Sequence, residues 1–444
     1  MIYLKHLNYF NYPKNLKQNP LVLPSVILSP IIIYMKKIVI LGVKITNLSK
    51  KQVIEKIDGF LAGQKQHYAV TPNPEIILST RRDEELFFIL NNADLVLADG
   101  IGLKYVSWLM GKNLKRITGT DTVYDIADLA AKKGKSIFFL GGEGDTAQRA
   151  AEKLKTKYPG LKVAGAEEGL KKSSWKLEIG RWLAGQEENE KLLQRINQAK
   201  PDILLVAFGC PLQEKWIYHN LKKMPSVKLA MGIGGAFDFI TRNVKRAPRF
   251  VRKVGLEWLW RLIKQPWRRK RIFNAVFVFT FIFLKYKFIH PFLYRPNVAC
   301  FLFKRENDIA KVLIVKRRDQ EDHWQLPQGG TDGEDLETAG SRELREETGT
   351  DKFKPVAVFK NLHKYHFEKR KSKFGVKTQF AGGYKGQRQG LLVAEFFGQD
   401  QDIKVNFWEH EDWQWVEADK LIEALHPCRR EAAEIFLEKF KECC

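Results

Sequence analysis

The chain has 444 residues, a length that fits two or three domains. Hydrophobic residues make up 44% and charged residues 28% of it, which excludes a disordered, collagen-like or polytopic membrane protein. The 75 Lys and Arg exceed the 51 Asp and Glu, giving a net charge of +24, and this excess predicts a negatively charged partner: nucleic acid, anionic lipid or a diphosphate substrate. The five cysteines are too few and too scattered for a disulfide framework, so we expect a reducing, cytoplasmic compartment.

The first part of the chain, residues 1–34, lacks Gly and differs in composition from everything after it. Its apolar run, Leu21–Tyr34, is too short for a spanning helix, and no small-residue cleavage site follows it. A strand-like sequence, MKKIVILGVKI, begins at Met35. We therefore expect Met35 to be the natural start and the residues before it to be non-native, so that residues 1–35 form a non-native or disordered extension ahead of the first domain.

Residues 36–244 alternate short apolar runs with helical segments, a pattern typical of an α/β, Rossmann-like domain with a mostly parallel sheet. The predicted helices include Thr120–Lys133 and Asp145–Tyr158. The predicted strands are Lys37–Leu41, Tyr68–Thr71, Leu95–Ala98, Ser136–Leu140, Lys162–Ala166, Ile203–Phe208 and Lys228–Gly232.

Residues 245–296 form a basic, aromatic segment that we interpret as a membrane-associating tail and linker. Between 245 and 271, eleven Lys and Arg stand against the single acid Glu257, with tryptophans among them. The apolar run Ile272–Leu284 is shorter than the roughly 20 residues that span a bilayer. We expect peripheral insertion into an anionic membrane surface, with nucleic-acid binding as the competing interpretation.

Residues 297–444 carry the strongest signal in the chain. Strands at Val298–Phe303 and Lys311–Lys316 and a charged helix at 335–348 predict a separate domain of mixed α and β structure. On that helix Glu343, Glu346 and Glu347 share one face. Such hard oxygen ligands suit Mg²⁺ or Mn²⁺, which would bind a diphosphate and activate water; the alternative is a solvated acidic helix face.

This segment closely resembles the Nudix box over about 297–441. The matching positions are Gly329, Gly330, Glu334, Arg342 and Gly349, and HWQLPQGG before them looks like the branch of RNA pyrophosphohydrolases and dinucleoside-polyphosphate hydrolases. The resemblance implies an α/β/α sandwich whose cofactor is Mg²⁺ or Mn²⁺ and whose substrate is a nucleotide or an RNA 5′ end. It also implies metal binding by Glu343, Glu346, Glu347 and, on a later loop, Glu409.

Two departures from that pattern bear on loop geometry and substrate choice. The loop between Gly329 and Glu334 is one residue shorter than usual, and Thr350 replaces the usual aliphatic residue. Basic and aromatic residues between Lys364 and Lys377 would hold a polyphosphate and stack a base, or else form an ordinary solvated loop.

Polar residues follow three predicted strands of the N-terminal domain, at the strand ends where α/β sheets bind ligands. The three segments are TPNPE at 71–75, ADG at 98–100 and GCPLQEKW at 209–216. An Asp in this crevice, such as Asp99, can act as a general base. Capping of the following helix is the alternative role for Asp99.

Together these segments resemble the WecG/TagA/CpsF family of glycosyltransferases over about 36–285. The motifs TPNPEI, ADGIG, RITGTD, FFLGG, PLQE, GGAFDF, RAP and GLEWLWRL occur in the family's order. The resemblance implies transfer of an N-acetylmannosamine-type sugar from a UDP-sugar donor to a polyprenyl-diphosphate-linked N-acetylglucosamine. Asp99 would be the catalytic base. The residues that would line the substrate pocket are Thr71, Asn73, Arg116, Gln213 and Glu214.

The sequence therefore predicts a bifunctional enzyme on the inner face of the cell membrane, in which a glycosyltransferase precedes a Nudix hydrolase. No metal-binding motif is evident in the transferase, and Arg242 stands where the family usually has Gly, which leaves the exact sugar open. Two alternatives accompany this prediction. In the first, only one domain is catalytic and the other is a binding module. In the second, the fusion is an artefact of joining two neighbouring genes.

Overall fold

The computed structural model describes most of the chain after residue 36. The described residues are 37–170, 174–178, 181–243, 247–248, 250–251, 257–264, 266, 269–367, 370–372, 375–377 and 383–444. The expectation of an N-terminal extension at 1–35 lies outside these residues. So do parts of the basic segment and of the loop at 364–377.

The N-terminal domain alternates strands and helices along the described residues. Its strands are β1 (Lys37–Ile40), β2 (Val43–Thr46), β3 (His67–Val70), β4 (Leu95–Val96), β5 (Ser136–Gly141), β6 (Lys162–Glu167), β7 (Trp175–Glu178), β8 (Arg181–Ala184), β9 (Ile203–Ala207) and β10 (Leu229–Gly232). Its helices are α1 (Lys50–Ala62), α2 (Pro74–Ser79), α3 (Glu84–Asn92), α4 (Ile101–Leu109), α5 (Gly119–Lys133), α6 (Thr146–Lys157), α7 (Gln186–Ala199), α8 (Leu212–Asn220) and α9 (Ala236–Thr241). A 3₁₀ turn, Leu221–Lys223, follows α8.

Six of the described strands form a parallel sheet in the order β4-β3-β10-β9-β5-β6. Its central strands are almost wholly apolar and buried, as expected for a parallel sheet covered by helices on both faces. The predicted Rossmann-like α/β architecture is thus confirmed.

The first predicted strand lies outside this sheet. β1 pairs antiparallel with β2 in a separate hairpin whose closing pair is Ile40 and Val43. Leu41 and Gly42, the two residues between them, both have positive φ angles, 48° and 87°. Two such residues form the tight turn whose twist matches a hairpin, so the chain reverses before it reaches the parallel sheet.

The basic, aromatic segment is largely helical where it is described. α10 spans Glu257–Lys264, and a helical run from Arg269 to Phe292 contains α11 (Arg269–Phe273), a π-helical turn (Asn274–Val278), α12 (Phe279–Phe288) and a 3₁₀ turn (His290–Phe292). The run has 24 residues, so the helix is longer than the apolar run Ile272–Leu284 within it, and by length and composition alone it could cross a bilayer. The helix continues because Lys285 and Lys287, which end the apolar run in the sequence, do not interrupt helical geometry.

This helix packs against the N-terminal domain. Phe279 and Phe283 are fully buried in the core that also holds strands β3 and β9. Near its start, the Arg271 guanidinium donates to both oxygens of Glu75 at 2.7 and 3.0 Å. One face of the helix is therefore fixed on the domain.

The C-terminal domain is built on a seven-stranded mixed sheet within the described residues. Its strands are β11 (Tyr294–Glu306), β12 (Ile309–Arg317), β13 (Trp324–Gln325), β14 (Gln328–Gly330), β15 (Phe353–His366), β18 (Gly386–Phe396) and β19 (His410–Glu417), with β16 (Arg370–Ser372) and β17 (Gly375–Lys377) as a separate hairpin. Its helices are α13 (Leu336–Thr348), α14 (Leu421–Ala424) and α15 (Pro427–Cys443), with 3₁₀ turns at Asp400–Asp402 and Ala418–Lys420.

Helices cover both faces of this sheet. One apolar core holds Leu344 of α13, and the other holds Phe436 of α15. The predicted α/β/α sandwich is confirmed. The first strand, β11, begins at Tyr294, three residues before the expected start of the domain.

Candidate active sites

The polar segments of the N-terminal domain meet at the carboxyl edge of its parallel sheet. Thr71 follows β3, Asp99 lies beyond β4, and Gln213 lies in the first turn of the helix that follows β9. β10 lies between β3 and β9 in the sheet, so its last residue, Gly232, is central to the group. A parallel sheet brings these ends together because all its strands run in one direction.

Asp99 is held at the start of a helix other than the one that follows it. Its Oδ2 accepts a hydrogen bond from the backbone N–H of Gly119, the first residue of α5, at 3.2 Å. Gly100, and not Asp99, occupies the N-cap position of α4. The backbone of Gly100 has a φ of +117°, and a Cβ there would lie 3.0 Å from Pro74, so this tight turn requires glycine.

Thr71 and Asn73 both bond to the backbone around the site. The buried Thr71 hydroxyl donates to the carbonyl oxygen of Gly232 at 3.2 Å. Asn73 caps α2, since its Oδ1 accepts from the N–H of Ile76 at 3.0 Å. Arg116 is half-buried, and its neighbour Ile117 bonds to the carbonyl of Ala98, next to Asp99.

Gln213 ties two loops of the site together. Its Oε1 accepts from the N–H groups of Gly209, at 3.2 Å, and of Gly234, at 3.0 Å. Its Nε2 donates to Glu214 Oε1 at 2.7 Å. Both side chains are almost completely buried, so they support the loops around the site from within.

Burial makes the ionised form of the Glu214 carboxyl less favourable than it is in water. Burial raises the pKa of Glu214, against the opposing effect of hydrogen bonds from Gln213 and the Cys210 thiol. Burial also raises the pKa of Cys210 well above its usual range, so this cysteine is not a reactive thiolate.

These contacts connect most of the predicted residues into one group. A Cβ at Gly119 would lie 3.4 Å from Thr71 Oγ1 and 3.7 Å from Asp99 Oδ2, so these two side chains flank the same point. Thr71 bonds to Gly232, and Gln213 packs against the same glycine. A Cβ added to Gly232 would lie only 2.9 Å from the Gln213 amide nitrogen.

In the C-terminal domain, Arg342 organises the predicted metal site. Its guanidinium donates to Glu334 at 2.9 Å, to Glu343 at 2.8 Å and to Glu346 at 3.2 Å. It also donates to the carbonyl oxygen of Gly330 at 2.8 Å, which ties the glycine-rich loop to α13. The charged helix is therefore not a solvated face, because Arg342 and the loop enclose its carboxylates.

Glu347 and Glu409 face each other across the same site. Glu347 is buried, and both its oxygens accept from the N–H of Gln328 at 3.3 Å. Glu409 is oriented by Asn406, whose amide donates to its Oε2 at 3.3 Å. Ligand atoms of Glu347, Glu409 and His410 all lie within 4.8 Å of one another.

The electrostatics of this group favour a bound cation. Burial, together with the neighbouring carboxylates, raises the pKa of Glu343 and that of Glu409, while Arg342 opposes the shift at Glu343. Burial likewise raises the pKa of Glu346. Carboxyl groups that are costly to ionise together become favourable once a divalent cation neutralises them.

The residues present fit Mg²⁺ or Mn²⁺. The donors are mainly carboxylate oxygens, which these hard cations prefer. Gly329 leaves the space that the Glu343 carboxyl fills, because a Cβ there would lie 1.9 Å from Glu343 Cδ. Buried His410 has no hydrogen bond at either ring nitrogen, and a nitrogen ligand is more compatible with Mn²⁺ than with Mg²⁺.

Sequence reasoning missed three residues here: Asn406, His410 and Glu84. Asn406 and His410 lie close to Glu409 in the sequence NFWEH, and this closeness to an expected ligand could have pointed to them. Glu84 comes from α3 of the N-terminal domain, and its carboxyl lies within hydrogen-bonding distance of Glu409. Nothing in the local sequence of Glu84 signals this position.

Family models match both parts of the chain. A model described as "Glycosyl transferase WecG/TagA/CpsF family" matches residues 38–291, and one described as "NUDIX domain" matches residues 293–439. A solved structure, a C. elegans Ap4A hydrolase binary complex, is 18% identical and covers 33% of this chain and 98% of that one, with a TM-score of 0.26.

Two bacterial relatives share the name N-acetylglucosaminyldiphosphoundecaprenol N-acetyl-beta-D-mannosaminyltransferase. The Bacillus subtilis (strain 168) protein is 35% identical over 205 residues, which are 46% of this chain and 74% of that protein. The Staphylococcus aureus (strain MRSA252) protein is 28% identical over 254 residues, 56% of this chain and 93% of that protein. This chain is an enzyme that belongs to the WecG/TagA/CpsF family of glycosyl transferases and carries a C-terminal NUDIX domain.

Proposed function

We propose that the N-terminal domain transfers an N-acetylmannosamine-type sugar from a UDP-sugar to a polyprenyl-diphosphate-linked N-acetylglucosamine, in cell-surface polysaccharide or teichoic acid assembly. The observation that carries this proposal is Asp99, held at the carboxyl edge of the sheet by Gly119 and flanking Thr71. The names of the two bacterial relatives support the choice of sugar and acceptor.

In this mechanism Asp99 removes the proton from the acceptor hydroxyl as that oxygen attacks the sugar. The N–H of Gly119 bonds to Asp99 Oδ2 and so orients the carboxylate that accepts the proton. The bond from the sugar to the UDP phosphate breaks as the new glycosidic bond forms, and Arg116 stabilises the negative charge of the departing diphosphate. Gln213 and Glu214 hold the two loops that enclose the pocket.

The test is a transfer assay with UDP-N-acetylmannosamine and a polyprenyl-diphosphate N-acetylglucosamine acceptor. Formation of the disaccharide lipid by the full chain is the expected result. Transfer of a different sugar would contradict the proposed donor, and no transfer to any lipid-linked acceptor would contradict the reaction itself.

For the C-terminal domain we propose metal-dependent hydrolysis of a diphosphate linkage in an RNA 5′ end or a dinucleoside polyphosphate. Glu343, Glu346, Glu347 and Glu409 would hold Mg²⁺ or Mn²⁺. When bound, the metal activates water and neutralises phosphate charge. Arg342 keeps three carboxylates in place, and Gln328 positions Glu347 through its backbone.

A panel of substrates tests this second activity: triphosphorylated RNA, dinucleoside polyphosphates, UDP-sugars and nucleoside triphosphates, each with Mg²⁺. Turnover of RNA or dinucleoside polyphosphates is expected. A preference for UDP-sugars would instead connect the hydrolase to the transferase's donor. No turnover at all would make this domain a binding module.

We further propose that the enzyme binds peripherally to an anionic membrane surface, at the inner face of the cell membrane. By length and composition alone, the helical run Arg269–Phe292 is the one such run among the described residues that could cross a bilayer. Its attachment to the domain through Phe279, Phe283 and Arg271 favours a helix lying in the membrane interface.

The opposite side of this helix is apolar and exposed. Phe277, Phe281 and Phe288 are exposed on it, and Trp108 at the end of the neighbouring α4 is 73% exposed. The Lys287 ammonium donates to the carbonyl of Leu109, which joins the two helices. Aromatic side chains beside cationic ones are typical of surfaces that bind anionic lipid.

A further inference from the structure

The two domains meet at the NUDIX site, and the transferase domain contributes a carboxylate to it. Glu84 is the first residue of α3. Its carboxyl lies within hydrogen-bonding distance of Glu409 and is close enough to Glu346 and Glu347 to interact with their charges. The NUDIX site of this chain therefore holds five carboxylates from two domains: Glu84, Glu343, Glu346, Glu347 and Glu409.

The residues on either side of Glu84 fix its direction. Asp83 and Glu85 both bind the buried Lys215 ammonium, each at 2.9 Å. Glu85 also contacts His219 at 2.6 Å. Because Asp83 and Glu85 are held against α8 of the transferase domain, Glu84 is left as the member of the run that reaches the NUDIX site.

An aromatic contact holds the two domains together beside this carboxylate. Phe407 lies two residues before Glu409 and inserts among three rings of the transferase domain. Its ring centroid is 5.9 Å from that of Phe88, 5.6 Å from Tyr218 and 5.4 Å from His219. The loop that carries Glu409 is thus fixed on the same two helices, α3 and α8, that position Glu84.

An independent observation indicates a ligand in this group. The His410 side chain is only 2% exposed, and neither of its ring nitrogens makes a hydrogen bond. Its Nε2 lies 3.1 Å from Glu347 Oε2 and 3.9 Å from Glu409 Oε2. Nε2 therefore contacts the Glu347 carboxylate, while the buried Nδ1 has no hydrogen-bond partner. Ligand atoms of His410, Glu347 and Glu409 converge within 4.8 Å of one another, an arrangement that can hold a cation.

The charge balance supports the same conclusion. Arg342 is the cation in direct contact with Glu343 and Glu346, and Arg295 lies near enough to Glu84 to attract it. Arg317 also lies close enough to Glu347 and Glu409 to interact with their charges, and three cations against five carboxylates still leave an excess of negative charge at the site. A divalent cation removes that repulsion.

We infer that Glu84 is an additional ligand of the NUDIX metal, supplied by the transferase domain, so that Mg²⁺ or Mn²⁺ joins the two domains. This inference rests on the proposed metal site. It assigns to α3 a role that neither family resemblance includes. The metal then stabilises the contact between the domains as well as serving hydrolysis.

The experiment measures Mn²⁺ binding to the full-length protein by titration calorimetry, alongside hydrogen exchange of α3. Wild type is compared with Glu84→Gln, with Glu346→Gln as a variant that lacks a ligand, and with Glu152→Gln, an exposed acid on α6, as the matched control. We expect Glu84→Gln to weaken Mn²⁺ binding about tenfold. Mn²⁺ should slow exchange in α3 of wild type and of Glu152→Gln, but not of Glu84→Gln.

A fourth variant, Phe407→Ala, separates the ligand role from a general loss of structure, because it loosens the domain contact without removing a carboxylate. Phe407→Ala also weakens Mn²⁺ binding, because it frees both Glu84 and the loop of Glu409. If Glu84 reaches the metal through this domain contact, adding Glu84→Gln to Phe407→Ala weakens binding no further. Additive effects would overturn the inference.

Unchanged Mn²⁺ affinity in Glu84→Gln would also overturn it, as would tighter binding, which would mean that Glu84 repels other ligands of the site. These readouts do not depend on turnover. If no substrate is hydrolysed but Glu84→Gln still weakens Mn²⁺ binding, the proposed hydrolase is contradicted and this inference stands.

Discussion

The ring of Phe407 lies nearly parallel to the ring of Tyr218, with centroids 5.6 Å apart and an angle of 10° between the planes. Phe407 belongs to the NUDIX domain, and Tyr218 to α8 of the transferase domain. The first residues of α8 are Leu212, Gln213 and Glu214, so one short helix contacts both candidate sites. This helix therefore lies between the two candidate sites.

Replacing Phe407 with Ala should loosen the packing between the domains. Removal of this ring from among Phe88, Tyr218 and His219 should weaken the interface by about 2 kcal/mol. We expect faster proteolysis between the domains, near residues 289–293, measured by limited digestion. The matched control is Phe397→Ala on the same domain, because Phe397 is 68% exposed. Equal digestion rates for both variants would contradict a stable interface.

Asp99→Asn should reduce sugar transfer about 100-fold or more, the usual contribution of a general base. The amide keeps the shape of the side chain and still accepts from Gly119, so folding should be unchanged. The measurement is the rate of disaccharide-lipid formation. Asp128→Asn, an exposed change on α5, serves as control. An Asp99→Asn enzyme with the wild-type rate would exclude Asp99 as the base.

Removal of divalent metal should stop hydrolysis and leave sugar transfer intact. Chelation, or Glu346→Gln, is expected to lower hydrolase turnover by about 100-fold or more, because water activation and charge neutralisation are both lost. Both activities are measured on the same preparation, which serves as its own control. Loss of both activities on chelation would show that the transferase also needs a metal.

Glu214→Gln should change how stability depends on pH. The folded-state pKa of Glu214 is raised above its ordinary 4.5 by burial. The unfolded chain therefore loses its proton first as the pH rises, and wild type loses stability between 4.5 and the higher folded-state pKa. The Gln variant does not titrate.

The measurement is the unfolding temperature of both proteins across this range. The advantage of the Gln variant should grow as the pH rises and should vanish near pH ~4, where the carboxyl is protonated in both states. A constant difference between the two proteins would mean that folding leaves the pKa of Glu214 unchanged.

Phe277 and Phe281 should contribute to membrane binding. Both are exposed on the helix that packs against the transferase domain through Phe279. Replacing both by Ser should weaken binding to anionic vesicles about tenfold, because less apolar area enters the bilayer. Cosedimentation with vesicles measures the change, and Phe397→Ser is the matched control. Unchanged binding by the double variant would show that other residues make the membrane contact.

The local features of the NUDIX helix could be predicted from the sequence because neighbouring residues determine them. The expected helix at 335–348 is observed at Leu336–Thr348. Asp335 caps its start by accepting from Thr338, and Gly349 ends it in the left-handed conformation that glycine favours. The common face of Glu343, Glu346 and Glu347 follows from the helical repeat alone.

The order of elements in the transferase domain was predictable for the same reason, but their pairing was not. Strands β3, β9 and β10 lie close to their expected positions, since short apolar runs bounded by polar turns predict strands. That β1 leaves the parallel sheet depends on the positive φ angles of Leu41 and Gly42 and on its packing. A helical pattern in the sequence likewise could not predict that Phe279 and Phe283 join the core.

The sequence by itself determined both families, the parallel sheet, the sandwich and the acidic face of the NUDIX helix, because each depends on residues close together in the chain. Only the tertiary structure brought Glu84 to Glu409 and Phe407 to Tyr218. The members of each pair lie far apart in the chain, and their contact depends on how two complete domains pack. Packing of that kind is decided by surface shape and charge, which no local pattern in the sequence contains.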